Sequence, residues 1–248
     1  MNTLFVGHKI IRLDAVDSTN SYTNQLLREK KLSEGTIVLT ENQLKGRGQR
    51  GNEWLSKPGE NLTMSLVLRP SFLTIADQYY LTKAVSLAIK ELVEGVCGEK
   101  AEIKWPNDIF VNGQKIAGIL IENALRSNFL QYSVVGIGLN INQVEFPAML
   151  HATSLKKLSG QSIDIAVCLE ALCSFVEANY LKLKSDKLSL DERYLKALFQ
   201  RDEWKMYRYN GNSMRAKIIG VAPNGQLLLV GETGQQLTCN FQEIQFMR

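Results

Sequence analysis

Residues 101–122 read AEIKWPNDIFVNGQKIAGILIE, and the fold turns on how they are divided. Ala101 to Trp105 and Asp108 to Val111 are short strand-like runs separated by Pro106 and Asn107. Asn112-Gly113, a dipeptide that suits a two-residue hairpin because both residues tolerate positive φ, returns the chain into Gln114 to Glu122. Leu130 to Leu139 is a further apolar run. Strands joined by so tight a turn pair antiparallel, so the sheet is mixed or antiparallel.

Upstream, Leu62, Met64, Leu66 and Leu68 alternate as a strand, as do Ile11, Leu13 and Ala15 against Arg12 and Asp14. Asp17-Ser18-Thr19-Asn20 reads as a helix cap. Tyr22, Leu26 and Leu27 lie on the helix that follows, ending near Lys31, and Thr36 to Thr40 is a strand. Thr74 and Asp77 are spaced to cap a helix from about Ile75 to Glu94, with Gly95 at its exit. Ser162 or Asp164 caps another, on which Ile165, Leu169, Leu172, Val176, Tyr180 and Leu183 recur at helical spacing. A short helix occupies roughly Asp191 to Phe199. Helices packed on a mixed sheet give an α/β (α+β) class. From Glu203 onward, short strands are punctuated by Asn210-Gly211, Asn224-Gly225 and Thr233-Gly234, the pattern of a small β-barrel. A boundary near residue 202 divides 1–202 from 203–248.

The 248 residues are 45% apolar and 22% charged, which is ordinary globular composition. No stretch approaches a membrane span, and charges and His8 interrupt the start between Met1 and Asp14, which points to the cytoplasm. Cys97, Cys168, Cys173 and Cys239 form no Cys-x-x-Cys pair and read as buried reduced thiols. With only His8 and His151, Ser-His-Asp hydrolysis and His-based metal sites have almost no material. The net charge of +4 favours anionic substrates slightly, and catalysis must lean on Lys, Arg, Asp and amides.

Four segments could hold chemistry. Residues 42–60 have the composition of a long mobile loop, and within it Gly46-Arg47-Gly48-Gln49-Arg50-Gly51 combines backbone amides with two cations, fit for a phosphate; a solvated basic turn explains it equally. Lys104-Trp105-Pro106-Asn107-Asp108 packs a cation, an aromatic, a turn and a carboxylate into five residues, or is a turn with Trp105 in the core. Lys115 opens a very apolar strand, as edge-strand lysines also do. Gly136-Ile137-Gly138-Leu139-Asn140-Ile141-Asn142 suits close approach to a flat ligand, or a bulge with Asn turns.

Together, in this order, and with Asp17-Ser18-Thr19-Asn20 and with Trp54 just beyond the Gln43 to Gly51 loop, these segments resemble the biotin protein ligases of the single-function class. The resemblance runs from about Ile11 to the C-terminus. It implies a class II synthetase-like catalytic domain with a mixed sheet and a small C-terminal SH3-like β-barrel. It further implies ATP-dependent formation of biotinyl-5'-AMP, then transfer of biotin to a lysine of a biotin carboxyl carrier protein. Lys115, Arg47 and Asp108 match catalytic positions. Ser18, Thr19, Asn20 and Gln43, with Arg47 and Lys115, match biotin-binding ones, where hydroxyls and amides suit a neutral ureido ring. Gly46, Gly48, Gln49, Arg50, Asn107 and Asn140 fall to the nucleotide. Mg2+ is implied with ATP, held mainly by its phosphates.

Two departures stand out. Gln49 occupies a position where relatives often carry Arg, and the register of the last strand, ending Met247-Arg248, leaves barrel contacts to ATP unassigned. The ten or so residues before Ile11 leave no room for a helix-turn-helix module, which disfavours DNA binding. A homodimer is compatible with the sequence. A lipoate ligase of the same fold is the nearest alternative, and a nucleic-acid-binding module using the basic loop and barrel a more distant one.

Overall fold

The computed structural model describes residues 2–247, apart from the side chain of Arg50. A seven-stranded sheet comprises β1 (Ile10–Val16), β2 (Ile37–Gln43), β3 (Leu62–Leu68), β4 (Ala101–Lys104), β5 (Asp108–Val111), β6 (Gln114–Arg126) and β7 (Phe129–Leu139). Its order is β1-β2-β3-β7-β6-β5-β4. The β1–β2 pair is parallel and every other pair antiparallel, so the sheet is mixed, and the Asn112-Gly113 turn joins an antiparallel pair. Both hairpin residues have positive φ, 50° and 74°.

Helix α1 (Thr19–Glu29) starts at Ser18, which caps it through Oγ, and packs over β3 and β7. Helix α2 (Tyr79–Cys97) is preceded by a separate 3-10 turn, Ile75–Asp77. Thr74 makes no side-chain cap there, and the exit is Gly98, left-handed at φ 71°, rather than Gly95. The helix runs through Gly95 because only Gly98 supplies the positive φ that ends it. Helix α3 (Leu155–Ser159), capped by Ser154, was not anticipated: five residues are too few to show a period. Helix α4 (Ile165–Ser185) is capped by Asp164, and α5 (Lys187–Ala197) by Asp186, so it starts one turn before the expected Asp191.

The second sheet holds β8 (Trp204–Tyr209), β9 (Asn212–Val221), β10 (Leu227–Gly231), β11 (Gln236–Cys239) and β12 (Ile244–Phe246), all antiparallel in the order β11-β10-β9-β8-β12 and compatible with an SH3-like barrel. One hydrophobic core runs through both sheets, joining Leu66, Ile89 and Leu172 to Ile218 and Leu229. A polar clamp fixes the contact. Lys83 of α2 is fully buried, pairs with Asp191 of α5, donates to the Val221 carbonyl at 3.1 Å and lies among the rings of Tyr79, Tyr80 and Tyr194. Burial pushes its pKa down while Asp191 counteracts this. Trp105 Nε1 adds a bond to the Gly225 carbonyl at 2.9 Å.

No two described cysteines are bonded. Burial raises the thiols of Cys168 to about 11 and Cys173 to about 12, which removes them as nucleophiles. Among the described residues no helix is long and apolar enough to cross a membrane.

The N-terminal segment is held by one carboxylate. Glu177 of α4 accepts from the backbone N–H groups of Leu4, Phe5 and Val6 at 2.6, 2.8 and 3.0 Å. Burial alone would raise its pKa, but the three donors outweigh it and hold the value below the ordinary 4.5. A depressed carboxyl stabilises the fold above its unfolded pKa and loses that contribution as pH falls through its folded value. Glu177→Gln should therefore cost about 2 kcal/mol at pH 7. Melting curves of both proteins should converge as pH drops below the ordinary carboxyl value; a gap independent of pH would contradict this.

Candidate functional site

Strand β6 pairs Gly118 with Gly138 of β7, and Leu120 with Gly136. Alternate residues share a face, so the middle of the sheet has a floor almost bare of side chains. A cleft of about 530 Å³ opens over it.

At one end lie Ser18, Thr19 and Asn20, each 3% exposed, with Gln43. Thr19 donates to Gln43 Oε1 through N at 2.9 Å and Oγ1 at 3.3 Å. Ser65 Oγ lies 2.8 Å from Thr19 Oγ1 and 2.6 Å from Asn20 Oδ1, while Asn20 Nδ2 donates to the Leu120 carbonyl at 3.2 Å. A Cβ on Gly136 would sit 2.5 Å from Asn20 Oδ1, so the glycine is what lets the amide in. This end is neutral, buried and rich in both donors and acceptors.

The β4–β5 turn and the start of β6 form the cationic wall. Lys115 Nζ is 2.7 Å from Asp108 Oδ1, and the two are 31% and 24% exposed, reachable yet partly withdrawn from water. The period of a strand would put Lys115 and Gly118 on opposite faces. An extra residue, Ile116, interrupts the β5–β6 register between Ile109↔Ala117 and Phe110↔Lys115 and turns Lys115 into the cleft. Asn107 lines the same wall, its Nδ2 donating to the Ile119 carbonyl at 2.6 Å.

The loop after β2, whose composition is that of a long mobile loop, folds back on itself here. Trp54 N donates to the Gly46 carbonyl at 3.0 Å and Gly48 N to the Asn52 carbonyl at 2.7 Å, so the backbones at Arg47 and Glu53 pair antiparallel. A Cβ on Gly46 would lie 2.1 Å from the Trp54 carbonyl oxygen, which bars any other residue from this turn. Arg47, Gly48 and Gln49 line the cleft and Gly46 does not. The Arg50 side chain lies outside the described residues. The Trp54 indole rests on the glycine floor, where a Cβ on Gly138 would come within 2.2 Å of it; its buried Nε1 has no acceptor among the described residues. Lys115 Nζ is 5.6 Å from the same ring.

Asn140, which the resemblance puts on the nucleotide side, lies beneath the cleft. It does not line the cleft: it is 3% exposed, and its Nδ2 donates to the Thr153 carbonyl at 3.0 Å. Strand β7 ends at Leu139, so Asn140 turns under the sheet and holds the segment that pairs with Lys115, whose N donates to the His151 carbonyl and whose carbonyl accepts from Thr153 N, both at 2.9 Å. From the second sheet and the turn before its last strand, Phe241, Gln242, Ile244, Gln245 and Phe246 line the cleft; Arg248 lies outside the described residues. Strand β12 is three residues long, too short for its alternation to stand out. Trp54, Ser65 and Glu122 were also passed over as site residues. The spacing of Leu120 and Glu122 on β6 was the signal for Glu122, since both share the face of Gly118. Glu53 and Asp108 are carboxylates on the cleft, but among the described residues no three His, Cys, Asp or Glu side chains converge on a metal position.

The Biotin/lipoate A/B protein ligase family matches residues 13–140, just over half of the chain, and the chain belongs to that family. It is 32% identical to the bifunctional ligase/repressor BirA of Bacillus spizizenii, over 94% of this chain and 73% of that one. It is 36% identical to the biotin–acetyl-CoA-carboxylase ligase of Paracoccus denitrificans, over 64% and 68%. Its fold overlays on a biotin protein ligase from Aquifex aeolicus, solved in complex with biotin and ATP, with a TM-score of 0.80 at 26% identity, covering 97% and 99% of the two chains.

A methyl group at position 138 must displace the Trp54 indole. Gly138→Ala is expected to move Trp54 emission to longer wavelength, isolated by difference against Trp54→Phe, while stability falls by no more than the about 1–3 kcal/mol of an overpacked core. An unchanged spectrum would mean that the ring does not lie on the glycine floor.

Proposed function

We propose that this chain is a biotin protein ligase, using residues 1–202 for chemistry and 203–248 to close the cleft. The observation that carries the reading is the combination, over one glycine floor, of a buried neutral end built from Ser18, Thr19, Asn20 and Gln43 with the cations Lys115 and Arg47. The neutral end suits a ureido ring, whose N–H groups and carbonyl need acceptors and donors but no charge. The cations suit the first reaction, in which two anions must meet.

A biotin carboxylate oxygen attacks the α-phosphorus of ATP, the bond to the β-phosphate oxygen breaks, and pyrophosphate leaves. Lys115, ready at the cleft with Asp108, offsets the charge gathering between carboxylate and phosphate, and Arg47 adds to that field. A lysine amine of a biotin carboxyl carrier protein then attacks the carbonyl carbon of the mixed anhydride, AMP departs with the bonding pair, and the nitrogen gives up a proton. In this reading Asp108 orients the lysine ammonium on arrival and takes up the proton it must lose before it can attack. Gly48, Gln49 and Asn107 fall on the nucleotide side, and the Trp54 ring and the barrel residues shield the anhydride from water. Mg2+ would be held mainly by the ATP phosphates, where it would offset their charge, with Glu53 and Asp108 the carboxylates on the cleft; among the described residues no three ligating side chains converge on a metal position. A cytoplasmic location fits this reading, since ATP and an acceptor protein are both available there.

The test is exchange of labelled pyrophosphate into ATP. It should require biotin, with lipoate unable to replace it, and Lys115→Ala should slow it about a hundredfold, a loss of about 3 kcal/mol, with folding little changed. Exchange driven by lipoate alone, or a Lys115→Ala protein at the parent rate, would overturn the reading.

A further inference from the structure

Glu122 stands two residues beyond Leu120 on the cleft face of β6, yet it does not line the cleft. Its carboxylate gathers three donors from two other elements: Arg47 Nη2 from the loop at 2.9 Å, and from α1 Asn20 Nδ2 at 2.9 Å and Asn24 Nδ2 at 3.1 Å. Arg47 does line the cleft, and its other terminal nitrogen donates to Ser21 Oγ at 3.1 Å. The guanidinium thus stands at the cleft wall with the carboxylate behind it.

A half-exposed ion pair contributes little by itself. This one is anchored. Asn20 is buried, and its amide has no freedom to flip, because Oδ1 takes Ser65 and Nδ2 serves both Leu120 and Glu122. Hydrogen bonds therefore run from Gln43, which accepts from Thr19 N, through the Thr19 hydroxyl to Ser65, on to Asn20 and Glu122, and so to Arg47. A long flexible cation whose place is set before the ligand arrives loses less freedom on binding than one that must be captured from solvent.

We infer that Glu122 is the positioning residue that holds Arg47 at the cleft wall and couples the neutral end of the cleft to the cationic loop. Glu122 takes no part in the chemistry. Removing its charge while keeping its shape frees the guanidinium and the loop that bears it. The kinetic part of this inference rests on the proposed reaction; the structural part does not.

Two measurements on the full chain decide it, using Glu122→Gln, Arg47→Ala and the double variant. In the ligand-free protein, tryptic cleavage after Lys45 and Arg47, followed by mass, should be at least about fivefold faster in Glu122→Gln than in the parent or in Glu170→Gln, a charge removed from the exposed side of α4, because a local contact governs local opening. Melting temperatures identify any variant that has lost the fold as a whole. In pyrophosphate exchange, Glu122→Gln should raise KM for biotin about tenfold, and the double variant should be no worse than Arg47→Ala, since the carboxylate acts only through that arginine. Cleavage at the parent rate, or losses that add in the double variant, would overturn the inference. A parent without biotin-dependent exchange would sink the proposed function instead, and the cleavage rates would still decide the role of Glu122.

Discussion

Lys115 reaches the cleft because β6 carries one residue more than its partner requires. Without the extra Ile116, the alternation that lays Gly118 on the floor would point the lysine to the opposite face of the sheet. The bulge is held on its free side by residues 151–153, which pair with the Lys115 backbone, and by Asn140, which ties that segment to the end of β7. Ile116 itself is fully buried, so the kink is filled by core packing instead of water. A cation, its carboxylate partner Asp108 and the glycine floor are thereby fixed on one rigid surface, which is where preorganised charge is most effective.

The remaining parts are arranged around that surface. Gly118, Gly136 and Gly138 remove side chains where Trp54 and Asn20 must come close, and each would clash or crowd with a methyl group. The second sheet closes the cleft, and its placement depends on groups far from the floor: the buried Lys83 bridging α2, α5 and β9, and Trp105 bonded to the Gly225 carbonyl. Trp105 belongs to the same short turn as Asn107 and Asp108, so the residues that join the two sheets and the residues that face the cleft share one backbone segment. Its ring also meets Phe241, which lines the cleft from the barrel side.

Much of this could be read from residues whose signals are local. Asn112-Gly113 fixed an antiparallel hairpin, Ser18 and Asp164 marked true helix starts, and the order of the polar segments brought Ser18, Thr19, Gln43, Arg47, Asp108 and Lys115 to one cleft. What stayed hidden depended on register and distance. Nothing in the composition of Gln114 to Leu120 tells an extra strand residue from a regular one, so the bulge at Ile116 is invisible until β5 is laid beside β6. Asn140 follows two glycines in the sequence, and nothing local shows that the strand ends one residue before it. Glu122 carried only a period-two spacing, and its donors come from Asn20, Asn24 and Arg47, far away in the chain.

The central claim is that one cleft joins a carboxylic acid with a neutral polar head to the α-phosphate of ATP. It is tested most directly by mass spectrometry under native conditions of the protein incubated with biotin and MgATP in the absence of any acceptor protein. The account requires the chain to retain a non-covalent ligand with the mass of biotinyl-5'-AMP, formed only when both substrates are present; finding biotin and ATP bound but unreacted, or no biotin bound at all, would contradict it.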